Sequence, residues 1–237
     1  MNESLMLFAI GINKFTVNNW AEKKPKLLEM IKLSDDDVAF LDAKECKTDY
    51  FKYNTRPPYF DEFCNVMAEE LDEIVQVFTE GLADRYRGEC PVKSLDYWQL
   101  WSQQYTQGEH HGAHNHGMMN LSCVLYVEFD EKEHLGTSFY SPFPNPYYGT
   151  IHKAQPPVKE GEIIVFPSLL LHECPVNPSK KQRTIMSFNI PMALQLTNWH
   201  MRWLLYCHNR LLYKCQGYAV LLPETSSGVM GYASHSN

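Results

Sequence analysis

Four of the ten histidines in this chain fall inside the seven residues 110–116. In an extended segment, residues two apart project on the same face, so His114 and His116 can converge on one metal ion. A third ligand has to come from a strand distant in sequence, and His172 is the candidate, 56 residues beyond His116. It follows the apolar run Glu162-Ile163-Ile164-Val165-Phe166-Pro167, which brings the chain up to the end of a strand. Neutral imidazole is a common ligand for iron, zinc, copper and nickel. The plainer reading of the cluster is a solvated, histidine-rich turn. Arg183 lies eleven residues past His172. If it opens a strand antiparallel to the one before His172, its guanidinium enters the same cavity, where it wants a carboxylate to grip in bidentate fashion.

The elements that must carry these residues follow from apolar spacing. Residues 5–12 read as a short buried strand, with no basic residue before them and no cleavage site after them to make a signal peptide. Residues 18–31 read as a helix interrupted or started at Pro25. Between 59 and 87 the apolar positions Phe60, Phe63, Met67, Leu71, Ile74, Val75, Phe78, Leu82 and Tyr86 form one stripe. That predicts one long amphipathic helix, ended by Gly88 and packed on a sheet. Residues 97–105, 121–129, 162–166 and 184–190 read as strands of a β-sandwich or barrel-like core over 96–191. Residues 141–157, with five prolines and three aromatics, read as a long ordered loop, either a lid or an ordinary connection. A helix over about 199–215 packs on the core or makes a homodimer contact, and a Ser/Gly-rich tail follows. The expected plan is an N-terminal region 1–95, a core 96–191 and a C-terminal region 192–237, forming one structural domain.

Composition narrows the function classes. With 21 Lys+Arg against 28 Asp+Glu the net charge is −7, which argues against generic nucleic-acid binding. No stretch of about 18 apolar residues exists, so no membrane span is expected. Seven scattered cysteines without a CxxC pair read as reduced thiols, and a cytoplasmic location is expected.

The order of motifs resembles the Fe(II)- and 2-oxoglutarate-dependent oxygenases, in a branch with the pattern HxH…LSxxxY…FPSxLxH…RxxxSFN. The residues that carry the resemblance are His114, His116, Leu121, Ser122, Tyr126, Phe166-Pro167-Ser168, His172, Arg183 and Ser187-Phe188-Asn189. The resemblance covers about 96–191. It implies a chain that is mainly β with flanking helices (α+β), built on a double-stranded β-helix, the jelly-roll or cupin-like core. It implies an oxidoreductase, a dioxygenase of the hydroxylase kind, with one Fe(II) held by His114, His116 and His172. Arg183 would bind the distal carboxylate of the cosubstrate 2-oxoglutarate, and Tyr105, Tyr126, Asn120 and Ser187 could supply hydrogen bonds around it. A small molecule or peptide would be hydroxylated with dioxygen, giving succinate and carbon dioxide.

One departure from the family stands out. The usual set is two histidines and a carboxylate, whereas here the third position is His116. Three neutral ligands leave the ion more positive, which strengthens its hold on an anionic cosubstrate and raises its reduction potential. Glu109, His110 or His111 could enter the site if the turn curls inward. Two other readings remain open at this point: a three-histidine cupin-type dioxygenase that uses no 2-oxoglutarate, and a catalytically inactive relative that only binds a ligand.

Overall fold

The structure is a computed structural model, and it describes residues 10–37, 45–86 and 94–192. Strand β1 (Asn13–Thr16) leads into helix α1 (Trp20–Met30), and the short β2 (Lys47–Thr48) precedes helices α2 (Phe60–Val66) and α3 (Ala68–Tyr86). The remaining strands are β3 (Gln99–Tyr105), β4 (His111–His114), β5 (Leu121–Glu128), β6 (Ser138–Pro144), β7 (Ile151–Ala154), β8 (Glu162–Pro167), β9 (His172–Cys174) and β10 (Arg183–Ile190). They form a six-stranded sheet in the order β1-β8-β5-β10-β3-β2 and a four-stranded sheet in the order β4-β9-β6-β7. Every pairing between strands is antiparallel. This is the jelly-roll arrangement, mainly β with flanking helices.

The large sheet is buried on both faces, which is why its strands read as nearly continuous apolar runs. On one face Cys123, Leu125, Val127, Ile163, Val165, Met186, Phe188 and Ile190 pack against Leu27, Phe60, Phe63, Met67, Leu71 and Ile74 of the helices. On the other, Val124, Tyr126, Ile164, Phe166 and Ile185 meet Phe139 and Cys174 of the small sheet. The alternation follows from the two-residue period of a strand. Gly161, at φ +77°, makes the turn into β8, and a Cβ there would meet the Trp20 ring at 2.9 Å.

Several expectations are corrected. The first described strand is Asn13–Thr16, later than the apolar run at 5–12, whose first five residues lie outside the described ones. Pro25 neither starts nor interrupts α1, which runs through it at the loss of one backbone hydrogen bond. The long helix is two: the axis breaks at the buried Met67, and both pieces keep their apolar stripe on the sheet. The proline-rich stretch is no long loop, because β6 and β7 pair across it as a hairpin. Strands β1 and β2, from the region before residue 95, belong to the same sheet as the core strands. Arg183 does open a strand, but β10 lies beyond β5 and therefore runs parallel to β8, not antiparallel. Gly88 and the expected helix over 199–215 lie outside the described residues.

Candidate metal centre

Two strands of the small sheet place the first two histidines. His114 closes β4 and is register-paired with His172, which opens β9, so the imidazoles stand side by side with ring centroids 4.4 Å apart. His116 lies just past β4 in a loop that β8 pins down. Its backbone N–H donates to Ser168 O at 2.9 Å, while the Ser168 hydroxyl donates to Gly117 O at 2.7 Å. The FPS segment thus fastens the second histidine beside the first and supplies the third. The His116 ring lies 5.2 Å from that of His114 and 4.9 Å from that of His172. One ring nitrogen from each of the three lies within 4.8 Å of the other two.

The tautomers are set as a metal requires. His114 Nδ1 is 2.7 Å from Gly112 O, and His172 Nδ1 is 2.8 Å from Leu170 O. A carbonyl oxygen only accepts, so each Nδ1 carries the proton and leaves Nε2 with its lone pair free. His116 Nδ1 is 2.8 Å from Asn189 Oδ1, whose orientation is fixed because Asn189 Nδ2 donates to Gln99 Oε1 at 2.7 Å. Ser122 Oγ donates to the same amide oxygen at 2.8 Å. Hydrogen bonds of this kind orient the ring and raise its basicity toward an ion. Burial holds all three rings neutral: His172 is pushed down to about 3 and His116 to about 4, and His114 is lowered as well. Three neutral imidazoles with committed Nδ1 atoms fit a divalent transition metal.

No carboxylate joins them among the described residues. Glu109 turns back to accept a hydrogen bond from Thr106 N–H at 2.6 Å. The nearest negative charge acting on His114 is that of Glu45, which forms a parallel bridge with His110, and a buried oxygen of Glu45 and Nδ1 of His110 lack hydrogen-bond partners. His111 does enter the site, though not as a ligand. Its ring stacks on His114 at 4.1 Å, and its Nδ1 lies 2.9 Å from Gln103 Nε2.

Behind the imidazoles lies a narrow cavity bordered by Tyr105, Val124, Thr137, Cys174, Ile185 and Ser187. Arg183 lies against the Tyr105 wall of this cavity and is fully buried. The carboxylate partner expected for it is missing among the described residues. The guanidinium instead donates to Leu135 O at 2.7 Å and Pro175 O at 2.8 Å, lies 4.4 Å from the Tyr105 ring centre, and keeps an unpartnered Nε. A buried charge without a counter-charge is costly, and an anion in the cavity would relieve it. The Tyr105 hydroxyl is also buried without an oxygen or nitrogen partner. Ser187 donates to Gln103 Oε1 at 3.1 Å, and the Tyr126 hydroxyl is engaged with Thr137. Asn120 is not brought to the site: it is exposed, and its side chain caps the Met192 N–H at 3.0 Å.

In front of the imidazoles a second cavity of about 450 Å³ opens to solvent, lined in part by Tyr50, Phe51, Trp101 and Met119. The residues that sequence reasoning missed are Gln103, Tyr50, Phe51 and Glu45. Asn189 was visible as part of a motif, but its hold on His116 was not.

Fold and side chains together define a jelly-roll protein with three histidines placed so that they could hold a metal ion. Residues 99–189 match the family model described as "Putative 2OG-Fe(II) oxygenase", a span that contains His114, His116, His172 and Arg183. The matched segment is thus similar to the 2-oxoglutarate- and Fe(II)-dependent oxygenases over somewhat more than a third of the chain. No match is found among curated protein sequences. Among solved structures, the chain resembles a prolyl-4-hydroxylase from Pseudomonas putida at 14% identity, covering 77% of this chain and 92% of that one, with a TM-score of 0.47. A viral collagen prolyl hydroxylase from Paramecium Bursaria Chlorella virus-1, in complex with 2OG, is 14% identical, with 78% and 96% covered and a TM-score of 0.46. HygX from Streptomyces hygroscopicus, with nickel and 2-oxoglutarate bound, is 12% identical, with 77% and 83% covered and a TM-score of 0.49.

Proposed function

We propose that this oxygenase hydroxylates a small molecule or peptide, consuming dioxygen and 2-oxoglutarate and releasing succinate and carbon dioxide. The observation that carries the reading is the combination of three imidazoles with free Nε2 atoms at a narrow cavity and, against its Tyr105 wall, a buried guanidinium without a carboxylate partner among the described residues.

His114, His116 and His172 would hold the ion through Nε2. Bound Fe(II) would supply the site at which dioxygen is reduced, with two electrons from the oxidative decarboxylation of 2-oxoglutarate and two from the substrate C–H bond, so that one oxygen atom ends in succinate and the other in the hydroxylated substrate. Arg183 receives the distal carboxylate of the cosubstrate and gains the counter-charge it lacks. The Tyr105 hydroxyl is the nearest unpaired donor for the same group. Ser187, through Gln103, keeps the strand-β3 wall of the cavity in place. Water is excluded by the apolar lining from Val124 and Ile185. The absence of a protein carboxylate from the ligand set leaves the charge of the ion to be balanced by the cosubstrate itself. A cupin-type dioxygenase without 2-oxoglutarate would leave Arg183 without a task. The net charge of −7 supports a partner other than nucleic acid, and the free thiols Cys46, Cys64, Cys123 and Cys174 support a cytoplasmic compartment.

The test is anaerobic addition of Fe(II) and 2-oxoglutarate, followed by visible spectroscopy for a metal-to-ligand charge-transfer band. A band in the wild type that requires far more 2-oxoglutarate in Arg183→Lys is the expected result. No band in a folded, iron-loaded wild type overturns the assignment. Succinate formation once air is admitted separates the enzyme from an inert binder.

A further inference from the structure

The cavity in front of the imidazoles has a wall chemistry that selects its occupant. Among the described residues that line it none is Asp, Glu, Lys or Arg; the polar part consists chiefly of amides, one threonine hydroxyl and the imidazoles. The apolar part is Tyr50, Phe51, Trp101 and Met119. Trp101 is buried and fixed by its Nε1–H, which donates to Gln103 Oε1 at 3.3 Å. Its ring meets Tyr50 edge-on at 5.2 Å and the His116 ring at 5.4 Å. A group packed into the Tyr50–Trp101 corner therefore sits next to the His116 imidazole. Tyr50 and Phe51 are 37% and 55% exposed, an aromatic pair left toward solvent at the cavity mouth. A volume of about 450 Å³ suits a side chain or a small molecule.

His111 adds a directional element. The Gln103 Oε1 atom accepts from Trp101 and from Ser187, so its Nε2 is the donor facing His111 Nδ1. That leaves the proton of His111 on Nε2, which makes no hydrogen bond among the described residues, in a ring that lines the cavity.

We infer that the prime substrate presents to this site an uncharged group with a flat apolar face and a hydrogen-bond acceptor, packed against Tyr50 and Trp101 and read by the Nε2–H of His111. This rests on the oxygenase reading, whose substrate class it narrows. Once the charge of the ion is balanced by the cosubstrate, a carboxylate, phosphate or ammonium packed against this wall would lose hydration and meet no charged side chain among the described lining residues. An amide or a neutral heterocycle would keep its acceptor satisfied and bury its face.

The probes are benzamide, toluene, benzenesulfonate and benzylammonium, titrated by ligand-observed NMR into protein loaded with redox-silent Zn(II) and 2-oxoglutarate. Benzamide is expected to bind about tenfold more tightly than either charged probe, in keeping with the penalty for burying an unpaired charge. Tyr50→Ala, a change at a partly exposed position, should weaken benzamide and toluene alike. His111→Phe should abolish the preference for benzamide over toluene while toluene still binds. Met119→Glu should make benzylammonium the preferred probe. Charged probes that bind the wild type as tightly as benzamide, or benzamide binding indifferent to both Tyr50→Ala and Met119→Glu, would overturn the inference. The two readings fail separately: loss of Zn(II) or 2-oxoglutarate binding bears on the oxygenase, whereas probe selectivity bears on the cavity and is measurable without the cosubstrate.

Discussion

The two faces of strand β10 divide the molecule's labour. Thr184, Met186, Phe188 and Ile190 alternate with Arg183, Ile185, Ser187 and Asn189 along eight buried residues. Met186, Phe188 and Ile190 enter the core beneath the helices. Arg183, Ser187 and Asn189 face the site, where they meet Tyr105, Trp101 and Gln99 as their register partners on β3. Strand β5 does the same, with Cys123, Leu125 and Val127 under the helices and Ser122, Val124 and Tyr126 on the inner face. Stability and chemistry are thus separated by half a strand period, 180° apart, on the same backbone.

That separation can be broken from either side. The largest effect is expected for His172→Ala, which should abolish stoichiometric metal binding by elemental analysis. It should cost the fold only about 1–2 kcal/mol, the scale of one buried hydrogen bond. Phe188→Ala, on the opposite face, should do the reverse. Its ring packs on Phe63 at 5.5 Å, so the truncation is expected to lower unfolding stability by about 3–5 kcal/mol in urea titrations, while the folded fraction still binds metal. Asn189→Ala lies between them. Loss of the Oδ1 acceptor frees the His116 ring, and metal affinity is expected to fall about 10–100-fold in competition with a chelator. Ser168→Ala should have the smallest effect of the four, because His116 keeps its backbone bond to Ser168 O when the hydroxyl is gone. A few-fold loss of metal affinity is the expected outcome. If Phe188→Ala removes metal as fully as His172→Ala does, the two faces are not independent.

The grouping of the three histidines was legible because spacing alone puts His114 and His116 together, and the FPSxLxH segment marks a strand end followed by a third imidazole. The strands were legible because their apolar runs are short and bounded by turns. What escaped depends on register and partners that no local pattern encodes. The run of steps through Met67 preserves one stripe whether the helix is straight or broken there. The prolines at 142, 144 and 146 hid β6 and β7, yet a strand at or near a sheet edge accepts residues without an N–H. Tyr50 and Phe51 lay in a stretch that reads as polar and punctuated, and only the pairing of β2 with β3 brings that stretch beside Trp101. The direction of β10 relative to β8 was misjudged because β5 intervenes between them, a matter of topology. Arg183 was legible from its offset after His172, whereas the carbonyls of Leu135 and Pro175 that accept from two of its nitrogens come from loops no motif marks.

The three Nδ1 hydrogen bonds carry a further consequence, for which ion the protein holds in practice. A set of neutral nitrogens ranks divalent ions by their intrinsic preferences, in which iron stands below nickel, copper and zinc. Nothing in the ligand set reverses that order, so occupancy follows supply. Protein prepared over immobilised nickel, or in zinc-rich medium, is expected to carry those ions, and iron will have to be given back to it after chelation.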